Sequence, residues 1–373
     1  MEINFYNTGT IENDRYHFAV ICAAYRGKWV LVRNRDRNTW EIPGGHREEN
    51  EDVGSTAARE LFEETGALEF DIEQVCDYSV TIGDTTTFGR LFFADITGFG
   101  PLPDSEVCEI RLLKELPGLG KLTYPEIQPV LQKRVLEHLS ARAIEILEKD
   151  KNRNINMINF IKSYSPYTFD KAGDSILIRG RSDEKWVYIS SASMDEFRQL
   201  IQGLDEDDRC YAVLEDWMLP DIVRDRKIRS QLTSMKLVHD GCTPLPPIRS
   251  AVVKLYAKDA EYIYQNSLYQ EYISVEYIEE RISNGIGLGI YEGCRLVAWA
   301  LTHDDGAIGF LNVLEDFRHR GFGIDVTAAM IMRLLELGFV PFVHIEEENV
   351  KSLNLALKAG FIKDRRIHWI KLG

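Results

Sequence analysis

The sequence predicts a multidomain protein of mixed α/β and α+β class, and three observations carry that prediction. Its 373 residues exceed what one hydrophobic core usually organises, at roughly 100–200 residues per domain. Strand-like and helix-like periodicities alternate along the whole chain. Two breaks interrupt them, the charged run Glu148-Lys-Asp-Lys-Asn-Arg-Asn154 and the stretch Gly241-Cys-Thr-Pro-Leu-Pro-Pro247. The expected segments are therefore 1–147, 148–245 and 246–373.

In the first segment, His17–Tyr25 is apolar and β-rich, and Gly27–Lys28 turns it into a second strand, Trp29–Arg33. Val53–Thr65 reads as a helix closed by Gly66 at a C-cap position. Strands are expected near Val75–Thr81 and Gly89–Thr97. A long helix is expected over Glu126–Lys149, where Ile127, Leu131, Val135 and Leu139 recur at helical spacing. The middle segment mixes strands at Ser175–Ile178, Lys185–Ile189 and Arg209–Val213 with helices at Asp195–Gln202 and Asp221–Arg229. The last segment reads as a hairpin (Leu288–Tyr291 and Arg295–Thr302), a strand Ala307–Val313, a helix Ile324–Leu337, a strand Phe342–Glu346 and a helix Lys351–Lys358.

Composition narrows the function classes. A hydrophobic share of 45% and a charged share of 28% are those of a soluble globular protein. The formal net charge of −15 argues against a nucleic-acid polymer as partner, because phosphate backbones demand a basic face. Residues 1–150 carry −11 of that charge and the remainder only −4. No run of about 18 apolar residues suggests a membrane span, and no basic-then-apolar start suggests a secretory signal. The six cysteines, none close to another, read as buried reduced thiols. A cytoplasmic enzyme acting on small molecules is the expectation, with oligomeric state open.

The most informative stretch is Gly44-Gly45-His-Arg-Glu-Glu-Asn-Glu51 followed by Arg59-Glu60-Leu61-Phe62-Glu63-Glu64-Thr65-Gly66. Glu60, Glu63 and Glu64 fall at i, i+3 and i+4 and so share one helix face. Stacked like charges destabilise a helix unless something neutralises them. Hard Mg²⁺ (or Mn²⁺) does so through carboxylate oxygens while keeping waters and substrate phosphates as further ligands. Arg59 can pair with one carboxylate, and the Gly44–Gly45 pair lets a backbone carbonyl approach. Alone, Glu-x-x-Glu-Glu is also the pattern of a solvated acidic face.

The wider spacing resembles the Nudix box, G-x5-E-x7-R-E-U-x-E-E-x-G-U with U aliphatic. Gly45, Glu51, Arg59, Glu60, Leu61, Glu63, Glu64 and Gly66 fall in register, with Ala67 departing at the last aliphatic position. The resemblance covers about residues 14–140. It implies an α/β/α sandwich with a mixed sheet and hydrolysis of a nucleoside diphosphate linked to another moiety. By the same resemblance Glu63 and Glu64 bind metal together with the Gly44 carbonyl, Glu60 is a further ligand or the base, and Glu51 supports the site. An added acid would be Glu106 or Glu109. No coenzyme A, NADH or ADP-ribose subfamily fingerprint surrounds the box, and Trp40-Glu-Ile-Pro-Gly-Gly looks most like nucleoside-triphosphate pyrophosphatases, including those that clear oxidised purine nucleotides. Trp40, or an aromatic near it, is either a base-stacking platform or core.

In the last segment Arg318-His319-Arg320-Gly321-Phe322-Gly323 joins a strand ending at Val313 to a helix from Ile324. Converging backbone N–H groups, a helix N-terminus and two arginines suit a pyrophosphate. With Asn349, Ser352 and Lys358-Ala-Gly-Phe361, the segment resembles the GNAT acyltransferases, closest to the glycine N-acyltransferase-like branch. That implies acetyl-CoA or another acyl-CoA as co-substrate and an amine as acceptor. Leu311 to Val313 would bond the pantetheine arm, and Arg318, Arg320, Gly321, Phe322, Gly323, Ile324 and Asn349 complete the expected cofactor set. A degenerate GNAT-like first half would occupy the middle segment. Many members carry a tyrosine acid seven residues after the asparagine, where this chain has Ala356. His344 and Glu346 are candidates for the base, with a structural role the alternative for each.

Overall fold

The computed structural model describes residues 1–267, 269–271 and 273–373. The chain is of mixed α/β class and forms two compact units, each drawing on more than one stretch of sequence. The first takes Met1–Glu145, Ser165–Gly180 and Ser190–Asp205; the second takes Ile146–Tyr164, Arg181–Ile189 and Glu206–Gly373. The middle segment is thus divided between them.

The first unit is built on strands β1 (Glu2–Tyr6), β2 (Tyr16–Tyr25), β3 (Lys28–Asn34) and β4 (Gly44–His46), helix α1 (Val53–Thr65), strands β5 (Ala67–Ile82), β6 (Thr85–Phe99) and β7 (Val107–Leu113), and helix α2 (Gln128–Leu147). The sheet order is β1-β5-β6-β2-β3-β7, with β4 also on β2, and only β2–β6 is parallel. Period-two alternation divides β2 between two cores. Ala19, Ile21 and Ala23 join Val53, Ala57 and Leu61 of α1, while Cys22 and Ala24 join Leu131, Val135 and Leu139 of α2. One helix on each face completes a sandwich.

Local chemistry fixes where α1 begins and ends. Asp52 accepts the Gly54 N–H at 2.8 Å, and Gly66 closes the helix at φ +70° with its N–H on the Phe62 carbonyl. A Cβ at Gly66 would lie 2.9 Å from the Pro101 carbonyl oxygen. Ala67, the departure at the end of the box, is buried and opens β5. A smaller residue fills the available space.

Several expectations need correction. The charged run at 148–154 is not a linker: a 3-10 turn (Glu148–Asp150) leads straight into helix α3 (Lys151–Ser163). Two of its asparagines, Asn154 and Asn156, are buried with their amide groups partnered. The Asn154 amide donates to the Leu147 carbonyl at 2.9 Å, and that of Asn156 to Asp305 at 2.6 Å. Of the cysteines, Cys22 and Cys76 are buried, but Cys108, Cys242 and Cys294 are exposed. Of the two readings left open for Trp40, the structure takes the core: it lies with Leu131 and Val135, and the Arg111 guanidinium covers its ring at 4.7 Å.

The first unit also holds the hairpin β8 (Thr168–Ala172) and β9 (Ser175–Arg181) and helix α4 (Met194–Leu200). The second unit continues with β10 (Lys185–Ser190), β11 (Cys210–Leu214), the short helix α5 (Leu219–Ile222), β12 (Ile228–His239), β13 (Val252–Lys254), α6 (Ala260–Gln265), α7 (Val275–Asn284), β14 (Gly287–Glu292), β15 (Arg295–Thr302), β16 (Ile308–Val313), α8 (Phe322–Glu336), β17 (Phe342–Ile345), α9 (Val350–Lys358) and β18 (Phe361–Leu372). The helix expected over 221–229 is only the one turn of α5, because the chain from Ile228 is drawn into a strand with neighbours on both sides.

Within this unit the strands run β13-β14-β15-β16-β17-β12-β18-β11-β10. Two parallel pairs, β16–β17 and β10–β11, flank the antiparallel pair β12–β18. The last strand of each sequence half therefore lies beside the other half's: β12 against β17, and β18 against β11. Helix α8 packs on this sheet through Val326, Met330 and Leu334, with Trp299 fully buried beneath. Among the described residues no helix is long and apolar enough to cross a membrane.

Candidate functional site

The expected acidic set of the first unit comes together. Strand β4 pairs with β2 so closely that Gly44 (φ +155°) has no room for a Cβ, which would lie 2.4 Å from the Ala19 carbonyl oxygen. Its N–H is thereby aimed at the α1 face and donates to Glu64 Oε2 at 2.8 Å. Gly45 makes room for Glu60: a Cβ there would sit 2.2 Å from Glu60 Oε1. Gly44 and the box residue Gly45 are thus required by strand pairing and by a carboxylate respectively.

Arg59 organises the rest. Its Nε and one terminal nitrogen grip Glu51 at 3.0 and 3.1 Å, while the other donates to Glu60 at 2.7 Å and Glu63 at 3.3 Å. The grip on Glu51 holds that carboxyl down to about 2. Glu51 in turn accepts the Thr56 hydroxyl at 2.7 Å, tying the loop to α1. Glu63 is the exposed member, at 45% of its side chain, and Glu64 the buried one, at 8% of the residue.

Burial pushes the Glu64 carboxyl up to about 8, with the charges of Glu60, Glu41 and Glu106 adding to the rise against the Gly44 amide. Burial likewise raises Glu60 and Glu41, each with a contribution from Glu106. Of the two later acids, Glu106 therefore acts on the cluster, whereas Glu109 is engaged by Arg33 at 2.6 Å. Glu41 is a member that the sequence reading passed over; its place three residues before the Gly44–Gly45 pair was the available signal.

Among the described residues no three carboxylate, imidazole or thiol groups converge into a ready metal cage. The donor set nonetheless fits a hard divalent cation. Glu64 is a buried carboxylate with a backbone N–H as its hydrogen-bond donor, and the acids around it raise one another rather than being balanced. Glu60, Glu63, Glu64 and the Gly44 carbonyl are the oxygens on hand.

In the second unit, β16 and β17 pair at Ile308–Val343 and then diverge. Phe310 sits at φ +54°, a strained value for a bulky residue, where the register with β15 shifts. A cavity of about 360 Å³ opens at this splay. Leu311, His344, Glu346, Asn349, Ser352 and Ala356 all line it. Asn349 also caps α9, its side-chain oxygen accepting the Ser352 N–H at 3.1 Å.

Val313 and the Arg-Gly loop lie outside that lining and form the adjoining end. Arg318 donates to the Val313 carbonyl at 3.2 Å, and Arg320 stacks on Phe317 at 4.9 Å. Gly321 (φ +91°) is the N-cap of α8 and supplies no side-chain acceptor, so the first-turn N–H groups of Phe322, Gly323 and Ile324 keep the open valence of a helix start.

His344 is not placed to act as a base. Its Nε2 lies 2.8 Å from the Asn156 amide, which donates to it, its Nδ1 stands 4.0 Å from Asp305, and burial pushes it down to about 4. Glu346 instead accepts the Tyr269 hydroxyl at 3.0 Å. Three further residues at the cavity were missed: Tyr277, His303 and Asp304. A polar His-Asp-Asp-Gly turn ending the apolar strand β15 was the signal. Gly309 is needed there, since a Cβ would lie 2.1 Å from His303 Nε2.

A carboxylate cluster on a mixed-sheet sandwich and a splayed sheet with an Arg-Gly loop mark two different folds in one chain. Residues 15–127 match the family model of the NUDIX domain, and residues 287–370 match that of the FR47-like protein. The chain carries a Nudix domain at its N-terminal end and an FR47-like domain of GNAT type at its C-terminal end. The protein described as "Putative 8-oxo-dGTP diphosphatase YtkD" of Bacillus subtilis (strain 168) is 38% identical over 80 residues, 21% of this chain and 49% of that one. Nucleoside diphosphate-linked moiety X motif 6 of Xenopus laevis is 48% identical over 117 residues, 30% of this chain and 54% of that one. The chain thus spans about half the length of these relatives. A Drosophila protein solved by a structural genomics consortium shares the fold over 63% of this chain and 96% of its own, at 18% identity and a TM-score of 0.54.

Proposed function

We propose that the chain is a bifunctional enzyme, a metal-dependent Nudix pyrophosphohydrolase joined to an acyltransferase. In this reading residues 1–147 are the hydrolase, 148–245 a degenerate GNAT-like half and 246–373 the transferase. The exchange of β12 and β18 between two parallel pairs supports the paired-half interpretation. The substrate class is a nucleoside triphosphate, oxidised or not, which accords with the name of the Bacillus relative.

The observation that carries the hydrolase is the cluster itself: Arg59 bracing Glu51, Glu60 and Glu63 while Glu64 is buried on the Gly44 N–H. Bound Mg²⁺ or Mn²⁺ would supply charge for the pyrophosphate and a more acidic water. Glu63 and Glu64, with the Gly44 carbonyl, hold it. Glu60 is either a further oxygen ligand or the group that takes the water's proton. Arg59 keeps these carboxylates apart from one another and oriented. Glu63→Gln should lower metal-dependent release of phosphate or pyrophosphate from a nucleotide panel by at least about a hundredfold with the melting temperature retained. Unchanged turnover would reject the site.

For the transferase, Arg318, Arg320 and the α8 N-terminus would take the coenzyme A pyrophosphate, and the splay at Leu311 would take the pantetheine arm. Ala356, buried on the cavity wall, favours a second reading in which this unit binds acyl-CoA and regulates the hydrolase without turnover. Thiol release from acetyl-CoA across a panel of amines separates the two.

A further inference from the structure

We propose that the cavity at the β16–β17 splay takes a cationic amine with an aromatic or branched aliphatic body, and excludes acceptors bearing a carboxylate. This names the acceptor class for the acyl-transfer reading and rests on that reading for its role as acceptor.

The shape and chemistry of the walls carry it. The cavity of about 360 Å³ falls within the usual range of small-molecule sites. Trp186, Trp299, Trp369 and Phe310 make its apolar body. Trp186 and Trp369 meet edge to face at 5.1 Å, and the Lys371 ammonium lies over the Trp186 ring at 5.6 Å, so this wall already accommodates a cation on an aromatic face.

Its charged lining is predominantly acidic. Asp183, Asp304 and Glu346 are its carboxylates. Lys371 is the one lysine or arginine among the described lining residues, and it is held by Glu184 at 2.9 Å. His303 and His344 are both pushed down by burial and so bring no positive charge at neutral pH. Asp304 is only 5% exposed, and it is fixed by the Ser182 and Tyr277 hydroxyls and by the Asp305 N–H. Burial and the charge of Asp305 raise its carboxyl, so an ammonium beside it is the partner that keeps it ionised. A carboxylate-bearing acceptor would meet three wall carboxylates and, among the described lining residues, one lysine that Glu184 already holds.

The reaction balances with these groups. The acceptor enters as an ammonium and gives one proton to a wall carboxylate, which returns it to solvent. The amine nitrogen then forms its bond to the thioester carbon as the carbon–sulfur bond breaks. The second proton leaving nitrogen is the one that finishes on the coenzyme A sulfur. The Tyr269–Glu346 hydrogen bond lies in the same cavity and offers a route for it.

The test uses the full chain, with calorimetric binding of 2-phenylethylamine, isoamylamine, phenylalanine and 3-phenylpropanoate, and thiol release from acetyl-CoA with each. The two amines should bind at least tenfold more tightly than phenylalanine and 3-phenylpropanoate. Asp304→Asn and Glu346→Gln should each weaken the amines at least fivefold while coenzyme A binding is kept. Glu346 is partly exposed, so its variant tests the proposal even where Asp304→Asn fails to fold. Equal or tighter binding of the carboxylates, or amine affinity unmoved in Glu346→Gln, overturns the proposal. Amine binding without thiol release supports the cavity assignment and removes the transferase reading. Thiol release with phenylalanine alone does the reverse.

Discussion

Arg59 shows how one side chain can organise three others. Without it, Glu60 and Glu63 on α1 and Glu51 in the preceding loop would repel one another; with it, these three share one guanidinium while the buried Glu64 has none. A second acidic site, away from the cluster, makes stability depend on pH. Burial, with Asp95 adding, raises the Asp170 carboxyl to about 7. The folded chain therefore holds that proton more tightly than the unfolded one. The associated stability is complete below the unfolded carboxylate range near 4 and is lost as pH rises through 7. The melting temperature of the full chain should fall between pH 5 and pH 7.5, and Asp170→Asn should flatten that decline. A melting curve rising over that interval would contradict the assignment.

At the scale of elements, glycine placement separates architecture from chemistry. Gly45→Ala inserts a methyl at the Glu60 carboxylate, so hydrolysis should drop by at least about tenfold, whereas acyl-CoA affinity is untouched. Gly321 has open space around its missing Cβ, so Gly321→Ala costs only backbone strain, about 1 kcal/mol at φ +91°. A several-fold loss of coenzyme A affinity by calorimetry is expected, with nucleotide hydrolysis unaltered. Elements with a local signature were legible beforehand: α1 runs from Val53 to Thr65 as the Asp52 and Gly66 caps dictate. Those without one were not. Strand β12 begins in residues that read as helix, and α3 hides in a run that reads as linker, because each is held by partners distant in sequence.

For the whole molecule, strand exchange sets what can fold alone. Residues 246–373 include β17 and β18 but not β12, which lies between them. Expressed alone, they should lack a cooperative melting transition and bind a hydrophobic dye; a sharp transition would show that the gap closes without β12. The acidity of the first 150 residues is explained in part by the Glu41, Glu60, Glu63, Glu64 and Glu106 group, charge that a bound cation would offset. The sequence by itself determined the fold class, the domain order, the box helix with its carboxylates and the Arg-Gly loop, since all of these are written in spacings of a few residues to about twenty. Only the tertiary structure decided that Trp40 is core, that Glu106 rather than Glu109 faces the cluster, that His344 is occupied by Asn156, and that Asp304 lines the splay cavity. Those outcomes depend on which distant side chains share a low-dielectric space, and burial there sets both charge and partner in a way no local pattern encodes.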